Sequence, residues 1–249
     1  MITFPRSTTM ERSPFTSAAA ILGAAIIVTG SIVMYGFYEV KALSDAISVT
    51  GSAEREITSD VAKWTIQITR SVDLSGLAEG NRAMTNDLAA VQTYLKEKGI
   101  EDAWVTVEPV AMDTMYDYNQ GGRASGYTLR RFVKIESSDT AKVRAAAEGA
   151  GVLLDRGALA STVSVEYFYS KLSELKQQIL ADAMADAKAR AQKMVESGGG
   201  SIGNLRSASM GVLQVTARNS VEVADYGMYD TSAEEKKVTA VVRAEFGIR

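Results

Sequence analysis

The chain has 249 residues, with 27 Lys and Arg, 30 Asp and Glu, and neither Cys nor His. Without Cys there are no disulfides and no thiolate chemistry, and without His there is no imidazole base, imidazole metal ligand or Ser-His-Asp triad. A net charge of −3 gives no electrostatic support for nucleic-acid binding, and 46% hydrophobic with 23% charged residues is the composition of a globular protein.

An uncharged segment near the N-terminus predicts a membrane anchor. Phe15–Tyr38 has 24 residues without a formal charge, and as a helix it would measure roughly 36 Å, more than the ~30 Å hydrocarbon core of a bilayer. A cleaved signal peptide is the alternative, but its apolar region would be only about 7–15 residues long. Arg6 and Arg12 precede the segment, and this basic bias favours an N-terminus inside the cell and a main domain outside. The expected organisation is a cytoplasmic stub at 1–14, a transmembrane signal anchor at 15–38, a linker at 39–46 and a domain at 47–249.

Strand and helix patterns interleave along the rest of the chain. Alternating or β-rich segments predict strands at 47–56, 62–69, 104–112, 126–136, 162–169, 205–217 and 237–248. Helices are predicted at 75–98, at 139–150 with a cap at Ser138 or Asp139, and at 171–197 with a cap at Ser170. The hairpin joining 104–112 to 126–136 is predicted to have an exposed connection at 117–126. These patterns predict an α+β fold with mixed or antiparallel sheets packed against helices.

The predicted helix at 171–197 is rich in Ala and carries one apolar stripe. Its members lie at helical spacing: Leu172, Leu175, Ile179, Ala183, Ala187, Ala191 and Met194. Small residues in such a stripe allow close approach to a sheet or another helix. The helix is expected to end at Gly198–Gly200.

Short motifs that could indicate catalysis have structural explanations. Gly198–Gly203 fits G-x-G-x-x-G, but it follows a helix and precedes a strand, whereas a dinucleotide site needs the reverse order. Ser173–Lys176 fits S-x-x-K without the K-T-G or S-D-N segments of penicillin-binding enzymes. Four acidic residues flank two polar loops without a calcium-loop pattern: Asp113, Asp117, Asp225 and Asp230. We therefore predict no catalytic, cofactor-binding or metal-binding residue, and we keep a Ser/Lys hydrolase as a remote alternative.

Two segments of identical sequence, Met-Tyr-Asp, occur in polar surroundings that are predicted to be exposed loops. Exposed Met and Tyr are adaptable contact residues and are enriched at protein interfaces. Met115, Tyr116, Met228 and Tyr229 are therefore candidate subunit or partner contacts, with chance composition in a Met-rich chain as the alternative.

Three segments together resemble the SIMPL-domain family, which includes the periplasmic immunogenic proteins of Gram-negative bacteria. They are Ile47–Glu54 with the strand that opens at Asp60–Ala62, the Ala-rich helix around Ala181–Ala191 with its glycine stop, and the closing strand Val238–Ile248. The resemblance covers 47–249, although three consecutive glycines replace the family's usual small-x-glycine stop. It implies an α+β domain in the periplasm, large ring-like homo-oligomers, an association with envelope or oxidative stress, and no catalytic residues.

The expected function is thus that of a periplasmic protein anchored in the inner (cytoplasmic) membrane by a single pass. It would self-associate and support envelope integrity or stress tolerance, without catalytic activity, cofactor or nucleic-acid partner. A cleaved, periplasmic form is the alternative location. The alternative function is a binding or adaptor module that recognises a peptide or envelope partner through a strand edge or the Met-Tyr segments.

Overall fold

The computed structural model describes residues 14–42, 45–118, 121–221 and 225–249. Its helices are α1 (Pro14–Ala42), α2 (Leu77–Glu97), α3 (Thr140–Glu148), α4 (Val152–Asp155) and α5 (Leu172–Ser197). Its strands are β1 (Ala46–Thr58), β2 (Val61–Asp73), β3 (Val105–Val107), β4 (Ala111–Asp117), β5 (Arg123–Ser137), β6 (Ala160–Phe168), β7 (Ile202–Met210), β8 (Gln214–Ala217), β9 (Met228–Tyr229) and β10 (Glu235–Ile248). The predicted α+β class, with mixed or antiparallel sheets packed against helices, is confirmed, and the sheets are two in number.

The first helix, α1, has 29 residues, and its side chains are described without a break from Ile21 to Phe37. The large apolar side chains in that stretch are 58–77% exposed. Within the described residues, no helix is both long enough and apolar enough to cross a membrane.

The described chain forms two compact units. The larger unit contains 50–187 and 209–243, and the smaller unit contains 188–208, 244–249 and the described residues of 1–49. Four elements contribute residues to both units: β1, α5, β7 and β10.

The first sheet lies in the larger unit and has the strand order β3-β5-β2-β6, with β4 also paired to β5. All of these pairs are antiparallel. The alternation predicted for β2 is confirmed, because Trp64, Ile66 and Ile68 are at most 1% exposed while the residues between them are half-buried. Met84 and Val91 of α2 and Val143 of α3 pack into the same core, so both helices cover one face of this sheet.

The second sheet has the order β1-β10-β8-β9, and β7 pairs with β10 beside β8. β10 is antiparallel to β8, whereas the short β9 runs parallel to β8. Val238, Ala240 and Val242 of β10 pack against Leu175 and Ile179 of α5. The second sheet therefore has α5 on one face.

The predicted small-residue stripe of α5 makes its closest approach at Gly51 of β1. A Cβ atom at Gly51 would lie 2.3 Å from both the carbonyl oxygen of Ala183 and the backbone nitrogen of Ala187. Because ordinary carbon contacts begin near 3.4 Å, only glycine fits between the strand and the helix backbone.

Several predicted boundaries differ from the structure. The strand predicted at 104–112 is divided into β3 and β4, and the strand predicted at 205–217 is divided into β7 and β8. The exposed connection predicted at 117–126 is too long, because its last residues from Arg123 onward belong to β5. In α5 the apolar stripe ends on buried Val195, and Met194, which was predicted to belong to it, is 59% exposed.

The expected ends of the helices are largely confirmed. The side chain of Asp139 accepts a hydrogen bond from the backbone of Lys142 and caps α3. After α5, Gly199 adopts φ +81°, the left-handed conformation that a glycine stop provides. Ser170, predicted as the cap of α5, instead donates its hydroxyl to the carboxylate of Asp60 at 2.6 Å.

Candidate functional site

The first Met-Tyr-Asp segment forms the end of strand β4 and not a loop. Its pairing with β5 contains a bulge, because Met115 pairs with Gly126 and Tyr116 pairs with Ala124, which leaves Ser125 unpaired in the register. Met115 is half-buried, and its methyl group packs on Gly126. The ring of Tyr116 is 54% exposed, so of the two side chains it is the one available for a contact.

Tyr116 belongs to a larger exposed group on this hairpin. Met112 is 51% exposed and Tyr118 is 85% exposed. We call Met112, Tyr116 and Tyr118 the hairpin patch. Asp113, next to it on β4, forms an ion pair with Arg130 of β5, which fixes the two strands to each other.

The second Met-Tyr-Asp segment is built into the fold. Met228 and Tyr229 form β9, which pairs with Gln214 and Val215 of β8. The ring of Tyr229 stacks on Phe168 of β6 with a centroid distance of 6.2 Å. The following residues connect both sheets, because Asp230 donates its N–H to Val215 and Thr231 accepts from Tyr167. The structure thus places the four predicted contact residues in two sheets and gives the two segments different surroundings.

Asp230 and Lys236 hold the turn between β9 and β10. Burial acts to raise the pKa of Asp230, but hydrogen bonds from the hydroxyl and backbone of Ser232 outweigh it, so the pKa lies below its ordinary value. Lys236 is 0% exposed, and its ammonium donates to the carbonyl oxygens of Asp230 and Ala233. Burial lowers the pKa of Lys236, and the charge of Asp230 opposes that shift.

The burial of Lys236 was not predicted from the sequence, although the alternation of β10 indicates it. It stands at the inward position of the β10 alternation, two residues before buried Val238. A charged residue at such a position needs internal partners, and here two carbonyl groups and one carboxylate supply them. This arrangement stabilises a turn and leaves the lysine inaccessible to a substrate.

The glycine-rich and S-x-x-K motifs lie at the two ends of α5. Ser173 and Lys176 are exposed on the first turns of α5. Gly198–Gly200 end α5, and their N–H groups donate back to its last carbonyls. In the part of the chain that the structure describes, no three Asp or Glu side chains cluster closely enough to hold a metal ion.

A further surface lies on the second sheet, on the face away from α5. It is a groove of about 680 Å³ above Lys237, Thr239 and Val241 of β10. Glu54 of β1 lies on one side, and Met210 and other apolar residues lie on the other. No sequence pattern indicated this groove, because its members come from distant parts of the chain.

The chain was also compared with known proteins. No curated protein matches it. The model of one protein family, SIMPL, whose description is "Protein of unknown function (DUF541)", matches residues 47–246. This match covers most of the 249 residues and nearly all of the second-sheet and first-sheet elements described above. The chain therefore belongs to the SIMPL (DUF541) family.

Proposed function

We propose that this protein is a non-enzymatic, self-associating module that α1 anchors in the inner membrane, with the SIMPL domain on the periplasmic side. In this role it would support envelope integrity or stress tolerance. The observation that carries the proposal is the exposed apolar surface of α1.

A helix with exposed apolar side chains on all its faces is stable only where lipid or other protein surface covers those side chains. Every large apolar side chain described between Ile21 and Phe37 is more than half exposed. An amphipathic helix would bury one stripe and expose polar residues elsewhere, whereas a helix that is apolar all round belongs in a membrane or inside a large core. The 29 residues of α1 would measure roughly 44 Å, which exceeds the ~30 Å hydrocarbon core. The described residues alone contain no helix that is both long and apolar enough to cross, so the proposed anchor requires α1 over its full length.

The connection between α1 and the domain is short. α1 ends at Ala42, and the carbonyl of Asp45 already accepts a hydrogen bond from Ile248 at the end of β10. Three residues span at most about 10 Å. A domain tethered this closely to a membrane helix would lie at the membrane surface, which suits an envelope role.

The non-enzymatic character is supported by the residues available for chemistry. The chain has neither Cys nor His, so the commonest nucleophile-base pairs are absent. The buried lysine, Lys236, is occupied by backbone carbonyls, and Ser173 lies in the open on a helix surface.

Alkaline carbonate extraction of membranes that contain the full chain tests the anchor. We expect the wild type to remain in the pellet and the double variant Ile26→Arg/Ile27→Arg to be released, because each Arg at a bilayer centre costs about 2.5–3.5 kcal/mol. The matched control, Ile26→Val/Ile27→Val, keeps an apolar segment and should stay in the pellet. Release of the wild type would refute the anchor, and resistance of the domain to protease in spheroplasts would refute the periplasmic side.

Sedimentation equilibrium of the full chain in mild detergent tests self-association. We expect masses above that of one protomer, and the family resemblance further suggests ring-like assemblies. A single protomer over the whole concentration range would refute this part of the proposal.

The hairpin patch favours a second candidate function, the recognition of a protein partner. Its three side chains, Met112, Tyr116 and Tyr118, are more than half exposed, and Tyr and Met are enriched at interfaces. A pull-down from envelope extracts would test it by comparing the wild type with Tyr116→Ser. A partner that both proteins retain equally would contradict a role for the patch.

A further inference from the structure

One face of β10 is packed against a helix and the other face is open. Val238, Ala240 and Val242 are buried against α5, whereas Lys237, Thr239 and Val241 form the floor of the groove on the opposite face. About 680 Å³ of open space lies above this floor. The groove therefore lies over an inner strand of the second sheet, on the face that α5 does not cover.

One side of the groove is apolar. Met210 is 64% exposed, Val212 is 41% exposed and Val221, at the rim, is 93% exposed. Together with Val241 they form the apolar part of the lining. Exposed apolar patches bordered by polar residues are characteristic of interaction sites.

Two opposite charges of the groove, Lys237 on its floor and Glu54 on its β1 side, form no ion pair with the residues that the structure describes. Among the described residues, neither Lys237 nor Glu54 takes part in an ion pair, and Glu54 accepts only a long hydrogen bond of 3.5 Å from Thr239. The neighbouring charges of the same strands are paired, since Arg218 contacts both Glu56 at 2.9 Å and Glu235 at 3.1 Å. A further carboxylate, Asp225, lies at the rim.

Within the described part of the groove, a surface that carries the cation Lys237 and the anion Glu54, neither in an ion pair, beside an apolar strip is complementary to a second copy of itself. Thr239 reaches Glu54 across the strands, and Lys237 lies two residues, or about 7 Å, further along β10 on the same face. Two copies can face each other through this surface, related by a two-fold axis that lies midway between the two sheets and passes halfway between the two charges. This axis places Lys237 of each copy opposite Glu54 of the other copy. Such an isologous contact contains two Lys237–Glu54 pairs, so each of the four charges has one partner.

We infer that this groove is a two-fold contact between two copies of the chain, in which Lys237 pairs with Glu54 of the second copy and the apolar linings meet. This inference rests on the self-association proposed above and assigns it a surface. A singly charged amphiphile would fill the apolar side but leave one of the two charges unpaired. The second copy satisfies all three features at once.

A charge-exchange experiment on the full chain in mild detergent tests the contact. In Lys237→Glu the two carboxylates would face each other across the axis, and in Glu54→Lys the two ammonium groups would do so. We expect each variant to weaken the dimer by at least about tenfold, because like charges placed together at an interface are costly. An equimolar mixture of the two variants should form a heterodimer, in which every charge again meets its opposite. The double variant Lys237→Glu/Glu54→Lys should dimerise within about threefold of the wild type, a difference below 1 kcal/mol.

Two matched controls separate this pairing from general charge effects. Lys188→Glu makes the same charge change on the exposed surface of α5 and should leave the dimer unchanged. Asp225→Lys makes the same change as Glu54→Lys at the rim of the groove, and it should not form a heterodimer with Lys237→Glu. If it did so, the assigned pairing would be wrong.

Cross-linking provides a readout that does not depend on charge. The chain has no Cys, so Thr239→Cys introduces a single thiol close to the proposed axis. Facing sheets pack about 10 Å apart, and a short bis-maleimide should therefore link two Thr239→Cys copies but not two copies of Ser161→Cys, on β6 of the first sheet. Equal yields from both variants would overturn the inference.

The outcomes also separate this inference from the proposed function. A wild type that self-associates and is insensitive to Lys237→Glu overturns only the assigned surface. A wild type that is monomeric at every concentration overturns both. A small apolar molecule retained by the monomer in native mass spectrometry and removed by Val241→Asp would assign the groove to a ligand and overturn the two-fold contact.

Discussion

Replacing Gly51 by alanine tests the packing of α5 on the second sheet. The added Cβ would lie 2.3 Å from the Ala183 oxygen and the Ala187 nitrogen, and 2.7 Å from the Ala187 Cα. All three are backbone atoms, so no side-chain rotation relieves the overlap. To reach an ordinary contact of 3.4 Å, the strand and the helix must separate by about 1.1 Å.

That separation also stretches the contacts that flank Gly51. The N–H of Ser52 donates to the Asp186 carboxylate at 2.9 Å, and Arg55 contacts Asp182 at 2.9 Å. Overpacking of a core costs about 1–3 kcal/mol, and a weakened hydrogen bond adds about 0.5–1.5 kcal/mol. We therefore expect Gly51→Ala to lower the free energy of unfolding by about 3 kcal/mol, which for a domain of this size lowers the unfolding midpoint by about 6–12 °C.

Thermal unfolding of the full chain, followed by circular dichroism, measures this change. Gly151→Ala is the matched control, since Gly151 has φ −54° and no atom within 4 Å of an added Cβ. Its midpoint should equal or slightly exceed that of the wild type, because alanine restricts the unfolded chain. Adding Ala187→Gly to Gly51→Ala should give no rescue, because the clash is with backbone. A Gly51→Ala midpoint within about 2 °C of the wild type would refute the reasoning.

Three further predictions follow from other contacts. Asp87, which is 3% exposed, accepts two hydrogen bonds of 2.7 Å from Arg70. Asp87→Ala should lower the free energy of urea unfolding by about 1.5–3 kcal/mol, because the half-buried Arg70 loses both bonds; a loss below about 0.5 kcal/mol would contradict this. Burial acts to raise the pKa of Asp60, but hydrogen bonds from Ser170 outweigh burial, so the pKa lies below its ordinary value. The ionised carboxylate therefore stabilises the fold at pH values above its unfolded pKa of about 3.9, and this contribution is lost as the pH falls through the lower folded pKa. Asp60→Asn should accordingly be less stable than the wild type at pH 7, with a difference that shrinks in unfolding measurements at about pH 2–3; a difference that is independent of pH would exclude the ionic contribution. Tyr229→Ser should destabilise the domain by about 1–3 kcal/mol because the stack on Phe168 is lost, whereas Tyr116→Ser should change the stability by less than about 0.5 kcal/mol. Equal effects of the two substitutions in thermal unfolding would contradict the different surroundings of the two Met-Tyr-Asp segments.

The elements with strong local signals could be predicted from the sequence. The strict alternation in β2 and β10 identifies half-buried strands, and the Ala-rich segment with its triple glycine identifies α5 and its end. The division of long strands could not be predicted in the same way. Trp104–Met112 reads as one run, but the structure interrupts it around Pro109, which lacks an N–H for the ladder.

The candidate surfaces were harder to predict, because they depend on contacts between distant residues. The two Met-Tyr-Asp segments have the same sequence, yet only the second has Phe168 and Val215 beside it. The groove combines Glu54 with residues more than 150 positions later in the chain. Local composition identifies adaptable residues, and only the fold decides which of them face a partner.

The outer faces of the two sheets differ in a way that favours the second sheet as the contact surface. On the first sheet, Lys63 pairs with Glu136 at 3.0 Å and Lys134 pairs with Glu108, so these cations already have partners within the same chain. Such a face is stable in water, and a second copy that docks there would desolvate these charges without giving them new partners. On the second sheet, Lys237 and Glu54 form no ion pair with any described residue and would gain partners, and the exposed Met210 on the opposite side of the groove gains from burial. Because association is favourable only when new contacts exceed the cost of desolvation and of lost internal pairs, self-association should proceed through the second sheet.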